Sequence, residues 1–377
     1  MKLFLVGDFP EDNKTYGGVQ GVLVNMANEL VKRSDVELVL VSTSFNSGFT
    51  KFENKCSVYK LSFRQSFLEA RRQFNNIVIK ESPDVIHLQG VVPGVLLYRS
   101  SYRNFFVVTQ HAILSEERLL QVTIKRKVLF RIKEIVENYY LNRIKNIIFI
   151  SKYNKRIYFK KNDKNLDVNS ELIVNPVNDI FFQNDSKINN GQGRNEMYFV
   201  GEIKKRKGLH VLIQALHLLD KKGIDSRLHV IGGYKEMEYK KEIDKLISSL
   251  NVSEKVIFCG WKNQMEVLRY AQDIPVFVLP SFQETLPLSI AEAMSQGKIV
   301  VATDICGIPE MIKNNESGYL FPKGNSKKLA KVLAQIFQNP NKQEKVREKA
   351  KFASKRFQPK TVIEGTINFY KHVLSKK

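Results

Sequence analysis

Two glutamates, Glu284 and Glu292, are the side chains in this sequence best placed for chemistry. They lie on either side of the start of a predicted helix, which runs from about Pro287 to Gln296 with Pro287 in its first turn and Gly297 just past its end. Proline has no amide hydrogen to lose at a helix start, and glycine tolerates the left-handed exit of a helix. If the segment between the glutamates were all helix, it would separate them by about 12 Å at 1.5 Å per residue. Hydrolysis of a glycoside requires two carboxyl groups about 5 to 9.5 Å apart, so this pair leaves hydrolysis open but does not favour it.

Apolar strands precede the loops around these glutamates. The run 276–279 precedes Glu284, and the run 299–302 precedes a second loop, 303–309. In parallel α/β sheets ligands bind at the carboxyl ends of the strands, so both loops are expected at one ligand-binding edge. The helix between them offers free backbone amides and the positive end of its dipole to an anion. We therefore predict that the segment 280–310 carries the chemistry.

The chain as a whole alternates strands and helices twice. Its 377 residues exceed what one ordinary hydrophobic core contains. The pattern predicts an α/β fold of two facing Rossmann-like, doubly wound domains with a cleft between them. We expect a first domain at 1–175, a linker at 176–195, a second domain at 196–357, and a C-terminal helix at 358–377 that could cross back to the first domain.

A glycine pair, Gly17 and Gly18, separates the first predicted strand from its helix. Residues without side chains let backbone amides approach a phosphate or a sugar closely. An ordinary turn explains the pair equally well.

The charge of the chain is strongly positive, at +22. Half of it lies in the segment 118–161, where thirteen basic and two acidic residues give +11. A well-solvated lysine-rich surface is one interpretation, and docking on an anionic lipid surface is the other, with roughly 1 kcal/mol from each basic residue near the leaflet. Within the predicted helical region 118–145, one set of apolar side chains is expected to face the core: Leu119, Val122, Val128, Leu129, Ile132, Ile135, Val136, Tyr139 and Tyr140.

Several classes of protein are disfavoured by composition. The cysteines Cys56, Cys259 and Cys306 are an odd number with no CxxC spacing, which argues against a disulfide framework. The six histidines form no pair at metal-ligand spacing, which argues against a zinc site. We expect neither a metal nor a cofactor. No window reaches the roughly 18 apolar residues of a membrane helix, and the apolar run 3–6 is too short for a signal peptide. A cytoplasmic location is expected.

With these motifs in order, the chain resembles a glycosyltransferase of the large family-4 type, also called group 1, across nearly its whole length. The central signature is Glu284 followed eight positions later by Glu292-Ala293-Met294. Further landmarks resemble the family in order and spacing: Gly17-Gly18, Asp84-Val85-Ile86-His87, Thr109-Gln110-His111, Ser151, Val200-Gly201, Lys207-Gly208, Leu279-Pro280-Ser281, Gly307-Ile308-Pro309-Glu310 and Gly318.

The resemblance implies the GT-B architecture and a retaining hexosyl transfer without a metal. The sugar would move from a nucleotide-diphosphate donor, a UDP- or GDP-sugar, to the hydroxyl of a lipid-linked or glycan acceptor in cell-surface polysaccharide or glycolipid synthesis. The first domain would lie on the acceptor side, and the second would bind the nucleotide sugar. Association with the inner face of the membrane through 118–161 stays open beside a solvated surface, because many enzymes of this family act on lipid-linked acceptors. Nucleic acid is not an expected partner.

The same resemblance assigns roles to residues. Glu284 would lie against the transferred sugar, Lys207 would contact the diphosphate, and His111 would lie near the donor sugar from the first domain; these three are the expected catalytic residues. The expected donor-binding residues are Gly17, Gly18, Arg206, Thr285, Leu286, Pro287, Leu288 and Glu292, with Glu292 on the ribose hydroxyls. The alternative for His111 is a satisfied histidine at a strand end, and His87 is expected to be structural.

Two departures from the family pattern concern the donor. Family members often carry arginine where this chain has Glu202, so a second phosphate-binding cation would come from Lys204, Lys205 or Arg206, or be missing. The usual Gly-Phe-Gly after the first glutamate is replaced by 285–287, Thr-Leu-Pro, which predicts a stiffer loop. Two other functions stay open at this point: a sugar-nucleotide epimerase on the same architecture, and a non-enzymatic basic protein that binds polyanions.

Overall fold

The computed structural model describes residues 1–10, 18–43, 56–61, 63, 66–121, 123–162, 167–183 and 195–376. The chain forms two compact units. Unit 1 comprises Met1–Asn178 and Phe357–Lys377, and unit 2 comprises Asp179–Arg356.

Unit 1 is built on one parallel sheet. Its strands and helices are β1 (Lys2–Gly7), α1 (Gly18–Leu30), β2 (Glu37–Ser42), β3 (Ser57–Lys60), α2 (Phe67–Glu81), β4 (Val85–Gln89), β5 (Phe106–Gln110), α3 (Leu114–Leu119), α4 (Ile124–Leu141), β6 (Asn146–Phe149), α5 (Lys152–Lys161), β7 (Asn169–Leu172) and, from the end of the chain, α13 (Pro359–Ser375). Among the described residues the strand order is β3-β2-β1-β4-β5-β6-β7. Every residue of β4 and β5 is buried, as expected for strands covered on both faces.

Unit 2 repeats this architecture. Its elements are α6 (Ile180–Gln183), β8 (Glu196–Val200), α7 (Leu209–Asp220), β9 (Arg227–Ile231), α8 (Met237–Ser249), β10 (Val256–Gly260), α9 (Gln264–Tyr270), β11 (Val276–Leu279), α10 (Leu288–Ser295), β12 (Ile299–Thr303), β13 (Tyr319–Phe321), α11 (Ser326–Gln338) and α12 (Glu344–Ser354). The parallel strands follow the order β10-β9-β8-β11-β12-β13. This is the Rossmann order, and the predicted fold class of two doubly wound α/β units is confirmed.

The chain changes units near Asn178 and again near Phe357. Short helix α6, within the predicted linker 176–195, already belongs to unit 2, where Phe181 is buried. The asparagine- and glycine-rich part of that linker, 184–194, lies outside the described residues. At the other end, α13 packs against α1 within unit 1, and its buried Tyr370 contacts His87 in the sheet.

The interpretation of 118–145 is wrong in one respect: much of its apolar set faces solvent. Side chains of α4 that were expected in the core are about half exposed: Val128 54%, Leu129 48%, Ile132 54%, Ile135 56% and Tyr139 52%. The inward side of α4 instead carries Glu134, Glu137 and Leu141. Helical spacing shows that a face is apolar, but it does not show which way that face points.

Polar partners explain why α4 can turn two glutamates inward. Glu134 accepts from Arg118 at 3.1 Å and from Arg131 at 3.2 Å, so its buried charge is compensated. Glu137 is almost fully buried, and burial raises the pKa of Glu137 to about 7, while the Gln110 side chain opposes that rise. No helix in the described part of the chain is both long enough and apolar enough to span a bilayer.

Candidate functional site

The predicted region 280–310 lies at the point where the strand order of unit 2 reverses. Strands β8 and β11 are neighbours there, although two strands, β9 and β10, and three α-helices, α7, α8 and α9, lie between them in sequence. The loops after these two strands carry Lys207 and Glu284 respectively. Crevices at such a switch point are the usual ligand sites of open α/β sheets.

Glu284 is buried and held by three side chains. Its Oε1 accepts from Lys207 Nζ at 2.6 Å and from the Ser281 hydroxyl at 2.9 Å. Arg206 Nη1 lies 3.7 Å from its Oε2. Thus Glu284, Lys207 and Arg206, three residues predicted for the site, form one cluster.

The charges of this cluster are coupled. Burial alone would raise the pKa of Glu284, but Lys207 and Arg206 hold it below the ordinary value for a glutamate. Burial lowers the pKa of Lys207, and the nearby Glu284 carboxylate opposes that change. Two cations and one carboxylate leave the cluster with a net charge of +1, which suits an anionic ligand.

A glycine brings the two loops together. Gly208 follows Lys207 and has a φ of +71°; a Cβ placed on it would lie 2.0 Å from the carbonyl oxygen of Pro280. The amide of Phe282 also donates to the carbonyl of Arg206 at 2.8 Å. The position of Lys207 beside Glu284 therefore depends on the absence of a side chain at Gly208.

We expect Gly208→Ala to destabilise the fold much more than Gly223→Ala. Both glycines have a φ of +71°, but a Cβ on Gly223 meets nothing within 4 Å. The left-handed backbone costs alanine about 1–2 kcal/mol at either position, and the clash with Pro280 should add about 1–3 kcal/mol at Gly208. Denaturant unfolding of both variants measures the difference, and equal free energies of unfolding would contradict this view of the loop contact.

Arg206 is held in place by hydrogen bonds to Gln283, in the loop that also carries Glu284. Its Nη1 donates to the backbone carbonyl of Gln283 at 2.7 Å and to the Gln283 side chain at 3.1 Å. The other candidate cations are engaged elsewhere: Lys204 pairs with Glu202 at 2.6 Å, and Lys205 pairs with Glu242 at 3.0 Å. Arg206 is thus the second cation at the Glu284 cluster.

The predicted donor-binding loop leads directly into α10. Thr285, Leu286 and Pro287 are buried, and Leu288 is the first residue of the helix. The helix is one residue shorter at each end than the expected 287–296, with Pro287 as its N-cap. Within the described chain no side chain caps this end, so the first amides and the positive end of the helix dipole are available to an anion.

Glu292 lies further along α10, and its side-chain hydrogen bond is made with a residue outside the Lys207–Arg206–Glu284 cluster. Gln264 of α9 donates to its Oε1 at 3.1 Å, and burial raises the pKa of Glu292 to about 7. A small cavity beside it, also lined by Tyr198 and Lys298, has a volume of about 20 Å³. That space holds about one water molecule, so the cavity itself is not a nucleotide pocket.

His111 belongs to unit 1, at the end of β5. Its Nε2–H donates a hydrogen bond to Gln89 Oε1 at 2.7 Å, and its buried Nδ1 has no hydrogen-bond partner among the described residues. Burial lowers the pKa of His111 to about 4, so the ring is neutral near pH 7. A neutral ring with a bare Nδ1 can accept a hydrogen bond from a hydroxyl group.

A buried polar network holds this histidine. His87 contacts Tyr370 and lies 2.7 Å from Thr109 Oγ1, and burial lowers the pKa of His87 to about 3. Gln89 lies 3.0 Å from His87 Nε2 and joins it to His111. In the structure His87 is a core residue that supports the end of β4 and β5.

Of the predicted glycine pair, Gly18 begins α1, and Gly17 lies outside the described residues. A Cβ on Gly18 would meet nothing within 4 Å. Among the residues that the structure describes, no group of three or more histidine, cysteine, aspartate or glutamate side chains could hold a metal ion.

Three supporting residues were given no role in the sequence analysis: Ser281, Gln264 and Gln89. Ser281 stands three positions before Glu284, and its neighbour Thr303 donates to its carbonyl at 2.7 Å. Gln89 is two positions after His87, hence on the same face of β4, a signal that strand alternation could have provided. Gln264 contacts Glu292 only because α9 and α10 are close in the fold, which spacing does not predict.

Known proteins resemble the chain in sequence and in fold. The family model described as "Glycosyl transferases group 1" matches residues 181–352, and the one described as "Glycosyltransferase Family 4" matches residues 16–178. An uncharacterized glycosyltransferase of Methanocaldococcus jannaschii is 26% identical over 367 residues, covering 95% of this chain and 96% of that protein. The amylovoran biosynthesis glycosyltransferase AmsK of Erwinia amylovora is 33% identical over 145 residues, 37% of this chain and 35% of that protein.

A solved structure supports the fold. The crystal structure of Anabaena HepE in complex with UDP superimposes with a TM-score of 0.77 at 20% identity, covering 99% of this chain and all of that one.

Proposed function

The chain belongs to the group 1, family-4 type glycosyltransferases, and on that premise we propose that it transfers a hexosyl group from a nucleotide-diphosphate sugar to an acceptor hydroxyl with retention of anomeric configuration. The observation that carries this proposal is the cluster of Lys207, Arg206 and Glu284 at the switch point of unit 2, next to the uncapped start of α10. A site with two cations and free helix amides suits a diphosphate, and the buried carboxylate between them suits sugar hydroxyls.

The reaction needs no covalent intermediate on the protein. The bond between the anomeric carbon and the diphosphate oxygen breaks, and the acceptor oxygen forms its bond to that carbon from the same face. The acceptor proton passes to an oxygen of the departing diphosphate. Lys207, Arg206 and the α10 amides would stabilise the growing negative charge on the diphosphate, an effect larger in the transition state than in the ground state.

The remaining predicted residues receive roles by the same chemistry. Ionised Glu292 would accept hydrogen bonds from two ribose hydroxyls. Neutral His111 would accept a bond from a hydroxyl of the transferred sugar through Nδ1, and Gly17 and Gly18 would bring backbone amides near the diphosphate or the acceptor. We assign no metal to the reaction, because Lys207 and Arg206 supply the cationic charge.

Similar proteins support the nature of the substrates. HepE was crystallised with UDP and with UDP-glucose, and AmsK is named for amylovoran biosynthesis. By analogy we propose a UDP- or GDP-sugar as the donor and a lipid-linked or glycan acceptor in cell-surface polysaccharide or glycolipid synthesis, on the cytoplasmic side. The family match does not favour the epimerase or the polyanion-binding alternative.

The stereochemistry of the product tests this proposal. The enzyme is incubated with a panel of UDP- and GDP-sugars and a cell-envelope glycolipid extract, and the anomeric configuration of the product is measured by proton NMR. We expect the configuration of the donor in the product, with and without EDTA. Inversion would contradict same-face attack, altered sugar without any glycosylated product would support an epimerase, and loss of activity with EDTA would contradict a metal-free reaction.

The exposed face of α4 supports docking on an anionic membrane. Its apolar residues Ile124, Val128, Ile132, Ile135 and Tyr139 recur three or four positions apart, which places them along one side of the helix. The first turn adds three exposed cations, Lys125, Arg126 and Lys127. An amphipathic helix of this kind binds at the lipid interface through both its apolar area and its charge.

Reversing the three charges to glutamate, in Lys125→Glu/Arg126→Glu/Lys127→Glu, should abolish sedimentation with vesicles that contain anionic lipid. Negative charge at the start of a helix favours the helix, so α4 should stay folded. The matched control reverses Lys327, Lys328 and Lys331, which are exposed in the first turns of α11. Sedimentation that survives in the α4 variant, or falls equally in the control, would rule out docking through α4.

A further inference from the structure

A second concentration of positive charge lies in a groove on unit 1. One side of α2 contributes Leu68, Arg71, Arg72 and Asn75, and the turn after β4 contributes Arg99, Ser100 and Ser101. Positions 71, 72 and 75 share one face of the helix, so their side chains point toward the same space. The proposed glycosyl transfer uses none of these seven residues.

The charge in the groove is only partly compensated. Arg72 is held by Glu69 through two hydrogen bonds of 3.0 Å each. Arg71 donates one bond, from Nη2 to the carbonyl of Tyr98 at 3.3 Å, and its buried Nε has no partner among the described residues. Arg99 is exposed and forms no ion pair with any residue that the structure describes. Two guanidinium groups therefore face the groove without a carboxylate.

The neutral polar groups in the groove are also suited to donate hydrogen bonds. The Asn75 side-chain oxygen already accepts from the Tyr102 hydroxyl, which leaves its amide hydrogens for a ligand. Ser100 and Ser101 add two hydroxyl groups at the exposed start of a short turn. A ligand here would meet donors from several directions, so it needs several acceptor oxygens.

From this arrangement we propose that the α2 groove is a binding site for a phosphate monoester. A phosphoryl group presents three acceptor oxygens and a charge near −2, and the planar guanidinium fork pairs with it through two hydrogen bonds. A carboxylate has only two oxygens and half the charge, so it satisfies fewer of these donors. The groove, of about 600 Å³, falls in the range of small-molecule sites, so the group that carries the phosphate also fits.

Binding of glycerol 3-phosphate, measured by calorimetry, tests the site without requiring glycosyl transfer. We expect saturable binding to the whole protein and at least a tenfold weaker affinity in Arg71→Gln/Arg99→Gln. Arg99→Gln alone should also weaken binding at least threefold, and because Arg99 is exposed this variant keeps the fold. The matched control, Lys80→Gln/Lys221→Gln, removes the same charge from exposed positions outside the groove and should change the affinity less than twofold.

The outcomes are distinct. The proposal is overturned if no saturable binding is seen, if the arginine variants bind as tightly as the wild type, or if the lysine control loses as much affinity as they do. Equal affinity in the arginine variants would place the phosphate elsewhere, for example at Lys207. A second arm identifies the source of the phosphate. Protein with the α4 charges reversed is mixed with vesicles of phosphatidylcholine and phosphatidic acid. Vesicle binding that depends on Arg71 and Arg99 indicates a lipid headgroup. Binding of glycerol 3-phosphate without binding to the vesicles indicates a soluble phosphate.

Discussion

Replacing Lys207 by alanine should lower turnover by more than tenfold. Its Nζ lies 2.6 Å from Glu284 and has further N–H donors for a diphosphate oxygen. One charge pair at about 4 Å has a Coulomb energy of about 4 kcal/mol at an effective dielectric near 20. Each 1.36 kcal/mol of transition-state stabilisation that is lost lowers the rate about tenfold. Loss of only a third of this Coulomb energy would therefore be measurable. Steady-state release of nucleoside diphosphate measures the effect.

Two further variants test whether the loss of turnover in Lys207→Ala comes from lower stability or from the removal of any nearby positive charge. Lys205→Ala removes a neighbouring cation that is more than half exposed and should leave turnover within about twofold, since exposed pairs contribute little. Lys207→Ala leaves Glu284 without its nearest cation, which is expected to cost about 3–5 kcal/mol of folding stability. The double variant Lys207→Ala/Glu284→Ala should regain stability without regaining turnover. Near-normal turnover in Lys207→Ala would remove the role assigned to this lysine.

Glu292→Gln should weaken donor binding and remove much of its pH dependence. Burial raises the pKa of Glu292 to about 7, so the carboxyl is protonated and neutral below this value and ionised above it. The ionised form accepts two ribose hydroxyl bonds, whereas glutamine offers one oxygen. Donor affinity in the wild type should therefore rise about tenfold from pH 6 to pH 8, following the ionised fraction. Affinity is measured by calorimetry with a nucleotide sugar, whose esterified phosphates carry no proton in this range.

The pH dependence caused by Glu292 must be distinguished from that of other groups that titrate nearby. Lys298 lines the same small cavity, and burial lowers the pKa of Lys298 to about 8, so it loses positive charge as Glu292 gains negative charge. The comparison with Glu292→Gln isolates the carboxylate, because Lys298 is present in both proteins. Equal affinity in the two proteins across this range would exclude the ribose contact.

The sequence predicted the elements around the candidate site in unit 2 better than it predicted the buried face of α4 in unit 1. Buried runs such as β11 and the Glu284 to Glu292 spacing predicted strand, loop and helix because parallel strands and helix ends leave local signals. The ion pair between Lys207 and Glu284 was not foreseen: these residues are 77 positions apart, and only the adjacency of β8 and β11 brings them together. The resemblance assigned both residues to the donor but did not predict their contact with each other.

Unit 1 illustrates where periodicity misleads. On α4 the apolar positions were placed in the core because most amphipathic helices bury that face. Buried Glu134 is compensated by Arg118, which precedes α4 in the chain, and by Arg131, so the structure tolerates the opposite orientation. The α2 groove was likewise hidden, since Arg71 and Arg99 meet only in the fold.

The most direct test of the proposed catalytic cluster is a donor screen that measures the release of nucleoside diphosphate in the presence of acceptor, with Glu284→Ala as the blank. Release from one donor by the wild type and at least a hundredfold less by the blank, with both proteins folded, is the predicted result. Equal release by the two proteins would contradict the assignment of the donor sugar to Glu284 and the Lys207–Arg206 cluster.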